Sequence, residues 1–365
     1  MIPPCSRRLW YPPSGPEATG VSPIFSHRAV PLDLAWDNLA LSVPVFLGSA
    51  VVVVIAGVAL ARFGDQIADI TGWGALWVGT ILVSVATSLP ELITNISAIV
   101  IEDAPDLALG NVFGADMINM FTIAVVGMVF GARNLFSGQG RATQTLVLVA
   151  VGIAIIAIAV GATGDAALGP TSVGGLLIAA AYIGGMKLVY DAGKASAGAD
   201  GAPTASASAL RAWGGFGLAG LAILAAAPLL ASSSVGIGDA TGLGSSFMGV
   251  LAVSVVTTLP EASVTFAAAR RKSYGLVIGN IYGSCAFNLF VIPIADLFHT
   301  EGPLLGEMGS AHFVAAGAAI VLMSMGFLVI RSYQDRLISG LRRLVYVVPP
   351  TYVGALLWVF RESRS

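Results

Sequence analysis

The feature that most constrains this chain is a series of apolar stretches, each about 20 residues long, that begins at Val43 and continues to the end. A stretch of that length crosses a bilayer as an α-helix. The chain is 56% hydrophobic and only 10% charged, whereas a soluble domain has about 25% charged residues. We therefore predict an all-α integral membrane protein, which is not an enzyme of the soluble globular kind. Ten helices are expected, at approximately residues 43–62, 72–101, 106–131, 143–163, 170–190, 212–237, 244–269, 273–297, 311–330 and 343–360.

Basic residues lie in alternate links between these helices, and this alternation predicts the orientation in the membrane. Lys and Arg near helix ends are retained on the cytoplasmic side. The odd-numbered links carry 13 basic residues and the even-numbered links carry none. We expect cytoplasmic odd links and both termini outside, in a multi-pass protein of the cell (inner) membrane. The basic residues are Arg62, Arg133, Arg141, Lys187, Lys194, Arg211, Arg270, Arg271, Lys272, Arg331, Arg336, Arg342 and Arg343.

Two segments are interpreted as flexible. Residues 1–35 contain seven prolines and are predicted to be a disordered extension. Residues 193–210 consist mainly of Ala, Ser and Gly, which is typical of a flexible connector, here on the cytoplasmic side. The remaining chain then divides into two five-helix repeats, 36–192 and 211–365.

An internal repeat supports this division. Residues 83–91 read VSVATSLPE and residues 253–261 read VSVVTTLPE, so seven of nine positions are identical. Each copy leads into a second block, GNVFGADMINMF at 110–121 and GNIYGSCAFNLF at 279–290. The two blocks of each copy lie in adjacent predicted helices.

The two copies have opposite topology. The first motif pair, 83–121, begins in the second predicted helix, and the second pair, 253–290, begins in the seventh. An odd number of membrane crossings separates them, so the repeats are inverted. Inverted repeats are typical of secondary transporters, whose substrate site lies between the repeats near the middle of the membrane.

Polar residues in the first block of each copy recur at helical spacing and therefore share one face of a helix. In the second block of each copy, polar and small residues recur every four residues and form a matching stripe along one helix face. The positions are Ser84, Ser88, Glu91 and Asn95, with Ser254, Thr258, Glu261 and Thr265; the stripes are Asn111, Ala115 and Asn119, with Asn280, Ser284 and Asn288.

Pro90 and Pro260 follow these hydroxyls and change the backbone beside them. A proline has no N–H to donate to the carbonyl four residues back, and its ring disturbs the preceding turn. Backbone carbonyls are therefore expected to be free for a cation. They are those near Ala86 and Thr87, and near Val256 and Thr257.

The functional interpretation rests on the two glutamates. Ser, Thr, Pro and Gly are often found in membrane helices for packing alone. An acidic side chain at mid-bilayer costs about 2.5–3.5 kcal/mol, and the predicted helices that hold Glu91 and Glu261 contain no Lys or Arg. We interpret the pair as a cation site, and its oxygen ligands favour a hard cation such as Ca²⁺.

The two pairs of blocks resemble the two alpha repeats of the calcium/cation exchanger superfamily, particularly its prokaryotic sodium/calcium exchanger-like members. The pairs are TSLPE with GNVFGADMIN, and TTLPE with GNIYGSCAFN. The resemblance implies that Glu91 and Glu261 are central ligands, with carbonyls of Thr87 and Thr257 completing a Ca²⁺ site. It also implies that the helices 1 and 6 slide against the other eight. The Na⁺ ligands that it implies are Ser84, Ser88, Ser254, Thr258 and Ser284, with Asn119 and Asn288 at the centre.

The chain departs from the family pattern at several positions. The Gly that usually opens the first block is Ala86 here and Val256 in the second repeat. Ala115 stands opposite Ser284, so one expected Na⁺ ligand is missing. Some relatives place an Asp in the second repeat where this chain has Asn288. The site therefore has a formal charge of −2.

Asp116 is an extra acid, and its counterpart in the second repeat is Cys285. Two interpretations stay open: its carboxyl faces the site, or it is a protonated carboxyl buried between helices. A third negative charge beside two glutamates is opposed at low dielectric, so in the first case we expect the group to be protonated when a cation fills the site.

The function predicted from the sequence is a secondary antiporter that exchanges Ca²⁺ for Na⁺ by alternating access. A Ca²⁺/H⁺ antiporter, in which the two glutamates carry protons, is the nearest alternative, and a passive cation channel is a more distant one. The expected partners are these ions and the lipid bilayer, with no cofactor and no nucleotide. A net charge of −2 without a basic tract argues against nucleic acid.

Overall fold

Residues 39–100, 104–196, 208–241 and 254–362 are described by a computed structural model, and they are almost entirely helical. The α-helices are α1 (Leu39–Thr71), α2 (Ala75–Val78), α3 (Ser84–Val100), α4 (Pro105–Phe130), α5 (Ala132–Phe136), α6 (Arg141–Thr163), α7 (Val173–Ser196), α8 (Ala209–Thr241), α9 (Ser254–Thr257), α10 (Leu259–Arg270), α11 (Tyr274–Asp296), α12 (Ser310–Gln334) and α13 (Leu344–Glu362). A π-helical segment, Gly79–Val83, joins α2 to α3, and 3₁₀ turns lie at Leu304–Glu307 and Arg336–Arg343.

Nine helical stretches within these ranges are long and apolar enough to cross a membrane. They match nine of the ten predicted helices. The predicted seventh helix, 244–269, lies partly outside the described residues, and its described part forms α9 and α10. The predicted extension 1–35 and most of the connector 193–210 also lie outside, although α7 continues as far as Ser196.

Two details differ from the prediction. Helix α1 continues to Thr71, nine residues past the expected end at 62. The prediction stopped at the first charge, but Asp65 in the extra turns is paired with Arg271, so a charged segment is stabilised as helix. The second difference is a short antiparallel hairpin, Ala167–Leu168 with Thr171–Ser172, in the link after α6.

The prolines act differently in the two repeats. In the second repeat the helix is interrupted at Thr258, two residues before Pro260, as the sequence predicts. In the first repeat α3 continues through Pro90, and the irregular hydrogen bonding lies further back, in the π-helical Gly79–Val83. In both repeats the proline nitrogen donates no hydrogen bond to the carbonyl four residues earlier.

Helices α4 and α11 form the centre of the protein. In the most apolar part of α4, 78% of the residues are buried, and in that of α11 the fraction is 89%. In the other spans of the described ranges the same fraction is 22–50%. A helix that is apolar on every side belongs in such a position. These two helices carry the second block of each repeat, so the polar stripes around Asn119 and Asn288 lie at the centre.

Large apolar side chains cover the outer surface of α1 and α8. Leu47, Val51 and Ile55 on α1 are exposed, as are Leu218 and Leu221 on α8. In water such a surface would be costly, whereas in a bilayer it contacts lipid tails. This surface agrees with an integral membrane protein.

Contacts between helix ends group the links as the inverted repeat requires. Links 1–2 and 7–8 meet through Asp65 and Arg271. Links 3–4 and 9–10 meet where Gln144 donates to Gln334 at 2.6 Å. Among the even links, His312 contacts the carbonyl of Asp106 at 3.0 Å. These contacts group links 1–2 with 7–8, links 3–4 with 9–10, and links 2–3 with 8–9.

Glycines bring α11 against the second span without intervening side chains. A Cβ atom added at Gly279 would lie 2.3 Å from the carbonyl oxygen of Leu76, and one at Gly283 would lie 2.8 Å from that of Thr80. Both distances are shorter than any real Cβ contact, and the atoms they meet are backbone. These two glycines therefore allow α11 to pack directly against the backbone of the second span.

We expect Gly279→Ala to lower the free energy of unfolding by about 1–3 kcal/mol, because α11 must move away from the span that carries Glu91. Gly152→Ala is the matched control, since a Cβ there meets nothing within 4 Å. Thermal unfolding of the purified protein in detergent measures both. Equal midpoints for the two variants would contradict the close-packing role.

Candidate cation site

All twelve side chains predicted to form the site are buried in the structure. Their exposed fraction is 2% or less in every case. They come from α3, α4, α9, α10 and α11 and from Thr258 between α9 and α10, so both repeats contribute. The residues are Ser84, Thr87, Ser88, Glu91, Asp116, Asn119, Ser254, Thr257, Thr258, Glu261, Ser284 and Asn288.

Hydrogen bonds between the repeats follow the internal symmetry. The Thr87 hydroxyl lies 3.1 Å from the carbonyl of Ser84 and 3.3 Å from Oδ1 of Asn280. Its counterpart, Thr257, lies 3.4 Å from both the carbonyl of Ser254 and Oδ1 of Asn111. Each first block is thus joined to the second block of the other repeat.

Asn111 and Asn280 also hold their own repeat together. Asn111 donates through Nδ2 to Oδ1 of Asn95 at 2.8 Å, and Asn280 donates to the hydroxyl of Thr265 at 3.0 Å. The sequence interpretation placed both asparagines in the polar stripes without a separate role. Their identical place after the Gly of each second block was the signal for this structural function.

The two glutamates differ in their hydrogen bonds. Oε1 of Glu261 accepts a bond from Ser88 at 2.7 Å and a longer one from Ser284 at 3.4 Å. Neither oxygen of Glu91 has a hydrogen-bond partner among the described residues. The repeat is therefore asymmetric at the centre of the site.

The cause of this asymmetry lies in two positions of the sequence. The counterpart of Ser284 is Ala115, which has no hydroxyl. The counterpart of Ser88 is Thr258, whose hydroxyl donates instead to the carbonyl of Ser254 at 2.8 Å. Glu91 consequently lacks both donors that Glu261 has.

Unsatisfied polar atoms are concentrated in this cluster. Ten buried side-chain N or O atoms in the described part of the chain lack a hydrogen-bond partner, and eight of them belong to the cluster and the adjacent Asn95. Six of the eight are oxygens: both of Glu91 and one each of Asp116, Asn119, Glu261 and Asn288. Buried polar groups are normally paired, because an unpaired one costs free energy. A group of acceptors without donors is what a cation requires.

Within the described residues, the acids of the cluster lie beside one another and form no ion pair. Glu91 interacts electrostatically with Glu261 and with Asp116. In the ranges that the structure covers, the ion pair is Asp65–Arg271, which lies at one end of the bundle and not in the cluster. In the same ranges no three His, Cys, Asp or Glu side chains are close enough together to hold a metal ion. The three acids therefore do not form a three-carboxylate centre.

A helical membrane protein whose inverted halves bring matching motifs to a buried centre belongs to the class of secondary transporters. The family model described as "Sodium/calcium exchanger protein" matches residues 41–190 and 211–358. The chain therefore belongs to the sodium/calcium exchanger family and is a multi-pass membrane cation exchanger.

Individual relatives agree with this assignment. The chain is similar to the inner membrane protein YrbG of Escherichia coli (strain K12), with 27% identity over 225 residues, which is 60% of this chain and 67% of the relative. It also resembles solved structures of the sodium-calcium exchanger NCX_Mj. For the crystal soaked without Na⁺ and Ca²⁺ the TM-score is 0.65 at 20% identity, covering 88% of this chain and all of the other. For the crystal in 10 mM Na⁺ the TM-score is 0.66 at 19% identity, covering 87% and 98%. These likenesses confirm the predicted fold.

Proposed function

We propose that this protein exchanges Ca²⁺ for Na⁺ by alternating access, with Glu91 and Glu261 as the central ligands. The observation that carries the proposal is the set of five buried oxygens without a hydrogen-bond donor on Glu91, Glu261, Asn119 and Asn288. Two carboxylates offset the charge of one Ca²⁺. The empty site leaves them unpaired at low dielectric, so only loaded forms should cross, which enforces exchange.

The Ca²⁺ ligands beyond the glutamates would be neutral oxygens. Ca²⁺ takes six to eight oxygen ligands at about 2.3–2.6 Å, including backbone and amide carbonyls. Asn119 and Asn288 each have a buried amide oxygen without a partner. We assign them to this set together with the carbonyls of Thr87 and Thr257.

The hydroxyls would form the Na⁺ sites. Ser88 and Ser284 donate to Glu261, Thr258 donates to the carbonyl of Ser254, and Ser254 donates to Asn111 at 3.3 Å. Ser84 likewise donates to the carbonyl of Thr80. A hydroxyl whose hydrogen is engaged in this way still has lone pairs for a cation.

A Ca²⁺/H⁺ antiporter is the second candidate, and one observation favours it. Glu91 lacks the counterparts of both hydroxyl donors of Glu261, and at position 115 the hydroxyl is absent altogether, so the first repeat offers fewer Na⁺ ligands than the second. A passive channel needs a continuous pore, whereas the site side chains are at most 2% exposed. The orientation with both termini outside remains part of this proposal.

Glu91→Gln and Glu261→Gln should each abolish exchange, because each removes one of the two charges that offset a divalent ion. Removing one partner of a buried charge pair costs about 3–5 kcal/mol, which corresponds to at least about a hundred-fold. Uptake of ⁴⁵Ca²⁺ into proteoliposomes, driven by an outward Na⁺ gradient or by a pH gradient at clamped voltage, measures the loss and identifies the coupling ion.

Glu307→Gln is the control, because this glutamate is exposed in a 3₁₀ turn and should not affect transport. Near-native Ca²⁺ uptake by both site variants would show that the central site is wrongly assigned. Uptake that follows only the pH gradient in the wild-type protein would favour the Ca²⁺/H⁺ antiporter.

Ser88→Ala should raise the Na⁺ concentration for half-maximal exchange by about ten-fold, since one hydroxyl that contacts a carboxylate is lost. Thr258→Ala should have a smaller effect, because that hydroxyl contacts a backbone carbonyl and not Glu91. Ca²⁺ affinity should change less than Na⁺ dependence in both. Lost Ca²⁺ binding with unchanged Na⁺ dependence would reverse the assignment.

Ala115→Ser should strengthen Na⁺ dependence, because it supplies the hydroxyl that Glu91 lacks. We expect the Na⁺ concentration for half-maximal exchange to fall several-fold, by the value of about one hydrogen bond. Ala124→Ser, in the same helix and equally buried, is the matched control. If both variants keep the wild-type Na⁺ dependence, position 115 does not determine the coupling ion.

A further inference from the structure

The amide of Asn288 is oriented by a hydrogen bond to the extra acid, Asp116. Nδ2 of Asn288 donates to Oδ1 of Asp116 at 3.1 Å, across the interface between the repeats. Asp116 is 0% exposed and Asn288 is 1% exposed, so water does not compete for this bond. Because a carboxyl oxygen accepts and an amide nitrogen donates, the bond determines which end of the amide is turned toward Asp116.

The other end of the Asn288 amide is its oxygen, and this atom is buried without a partner. An amide that turned by half a rotation would present its NH₂ group to the site, and an NH₂ group repels a cation. It would also place the amide oxygen against a carboxyl oxygen. Asp116 therefore favours the one orientation of Asn288 in which an oxygen is available as a ligand.

In the other repeat, the equivalent pair of residues lacks a hydrogen bond of this kind. The counterpart of Asn288 is Asn119, and the counterpart of Asp116 is Cys285, which lies beside Asn119. A thiol is only a weak hydrogen-bond partner. Both amide atoms of Asn119 are without a partner, so nothing comparable determines its orientation.

We propose that Asp116 is a positioning residue, which holds the carbonyl oxygen of Asn288 toward the cation and does not itself bind the cation. The assignment rests on the central site of the proposed function. It holds for an ionised Asp116, which only accepts hydrogen bonds, and for a protonated Asp116 whose proton is on Oδ2, because Oδ1 then still accepts the amide hydrogen. It also explains how an acid can lie in the site without adding a ligand to the two glutamates.

A double-mutant cycle tests this role, because a residue that acts only through Asn288 loses its effect when that side chain is removed. Asp116→Leu should weaken Ca²⁺ binding to the purified protein by about ten-fold, the equivalent of one hydrogen bond to a buried polar group. In the Asn288→Ala background the same substitution should change Ca²⁺ affinity less than about two-fold. Isothermal titration with Ca²⁺ measures all four proteins.

Two further variants separate positioning from general destabilisation. Asp116→Asn keeps an acceptor oxygen and should restore most of the affinity that Asp116→Leu loses. Ala124→Ser, a substitution at a buried position of the same helix outside the cluster, should leave Ca²⁺ affinity unchanged. If Asp116→Leu does not fold, the cycle is made with Asp116→Cys, which introduces the residue of the second repeat and should give the same coupling.

The outcomes distinguish this inference from the proposed function. An equal loss of affinity with and without the Asn288 side chain would overturn the positioning role and make Asp116 a ligand. Full affinity in Asp116→Leu would overturn it as well. Wild-type protein that binds neither Ca²⁺ nor Na⁺ would overturn the proposed function, and this assignment with it.

Discussion

The structure depends on one electrostatic constraint: two glutamates are buried at the centre of a membrane protein with no basic side chain beside them in the described part of the chain. An isolated ionised carboxylate in such a place is strongly unfavourable. Glu91 and Glu261 therefore need a cation or a proton. The surrounding helices have to supply neutral oxygens without supplying charges, and the hydroxyls and amides of the two repeats meet that requirement.

The hydrogen bonds around this site join each repeat to the other. Thr87 contacts Asn280, and Thr257 contacts Asn111, so neither half completes its hydrogen bonds alone. Close packing at Gly279 brings α11 directly against the span that carries Glu91. Because interiors are close-packed, this contact transmits small displacements of one repeat to the other.

The two repeats are not equivalent at the side chains that form the site. Glu261 accepts hydrogen bonds from Ser88 and Ser284, whereas their counterparts, Thr258 and Ala115, donate none to Glu91. The symmetry is also absent at Asp116, because it accepts a hydrogen bond from Asn288 and its counterpart is Cys285. These differences follow from a few substitutions between otherwise similar motifs. A duplicated framework of this kind can keep its packing while the individual ligands diverge, since the packing residues and the ligand residues occupy different positions of the same helices.

The sequence alone determined the membrane class, nine of the spans, the repeat and the buried polar residues, because hydrophobic length and helical spacing are local properties of the chain. It did not indicate that α1 continues to Thr71 or that α3 passes through Pro90. Nor did it show which hydroxyl meets Glu261, or that Asp116 meets Asn288. Those partners lie more than 170 residues apart in the chain. Only the packing of the two repeats brings them within hydrogen-bonding distance, so only the tertiary structure shows which of these side chains contact each other.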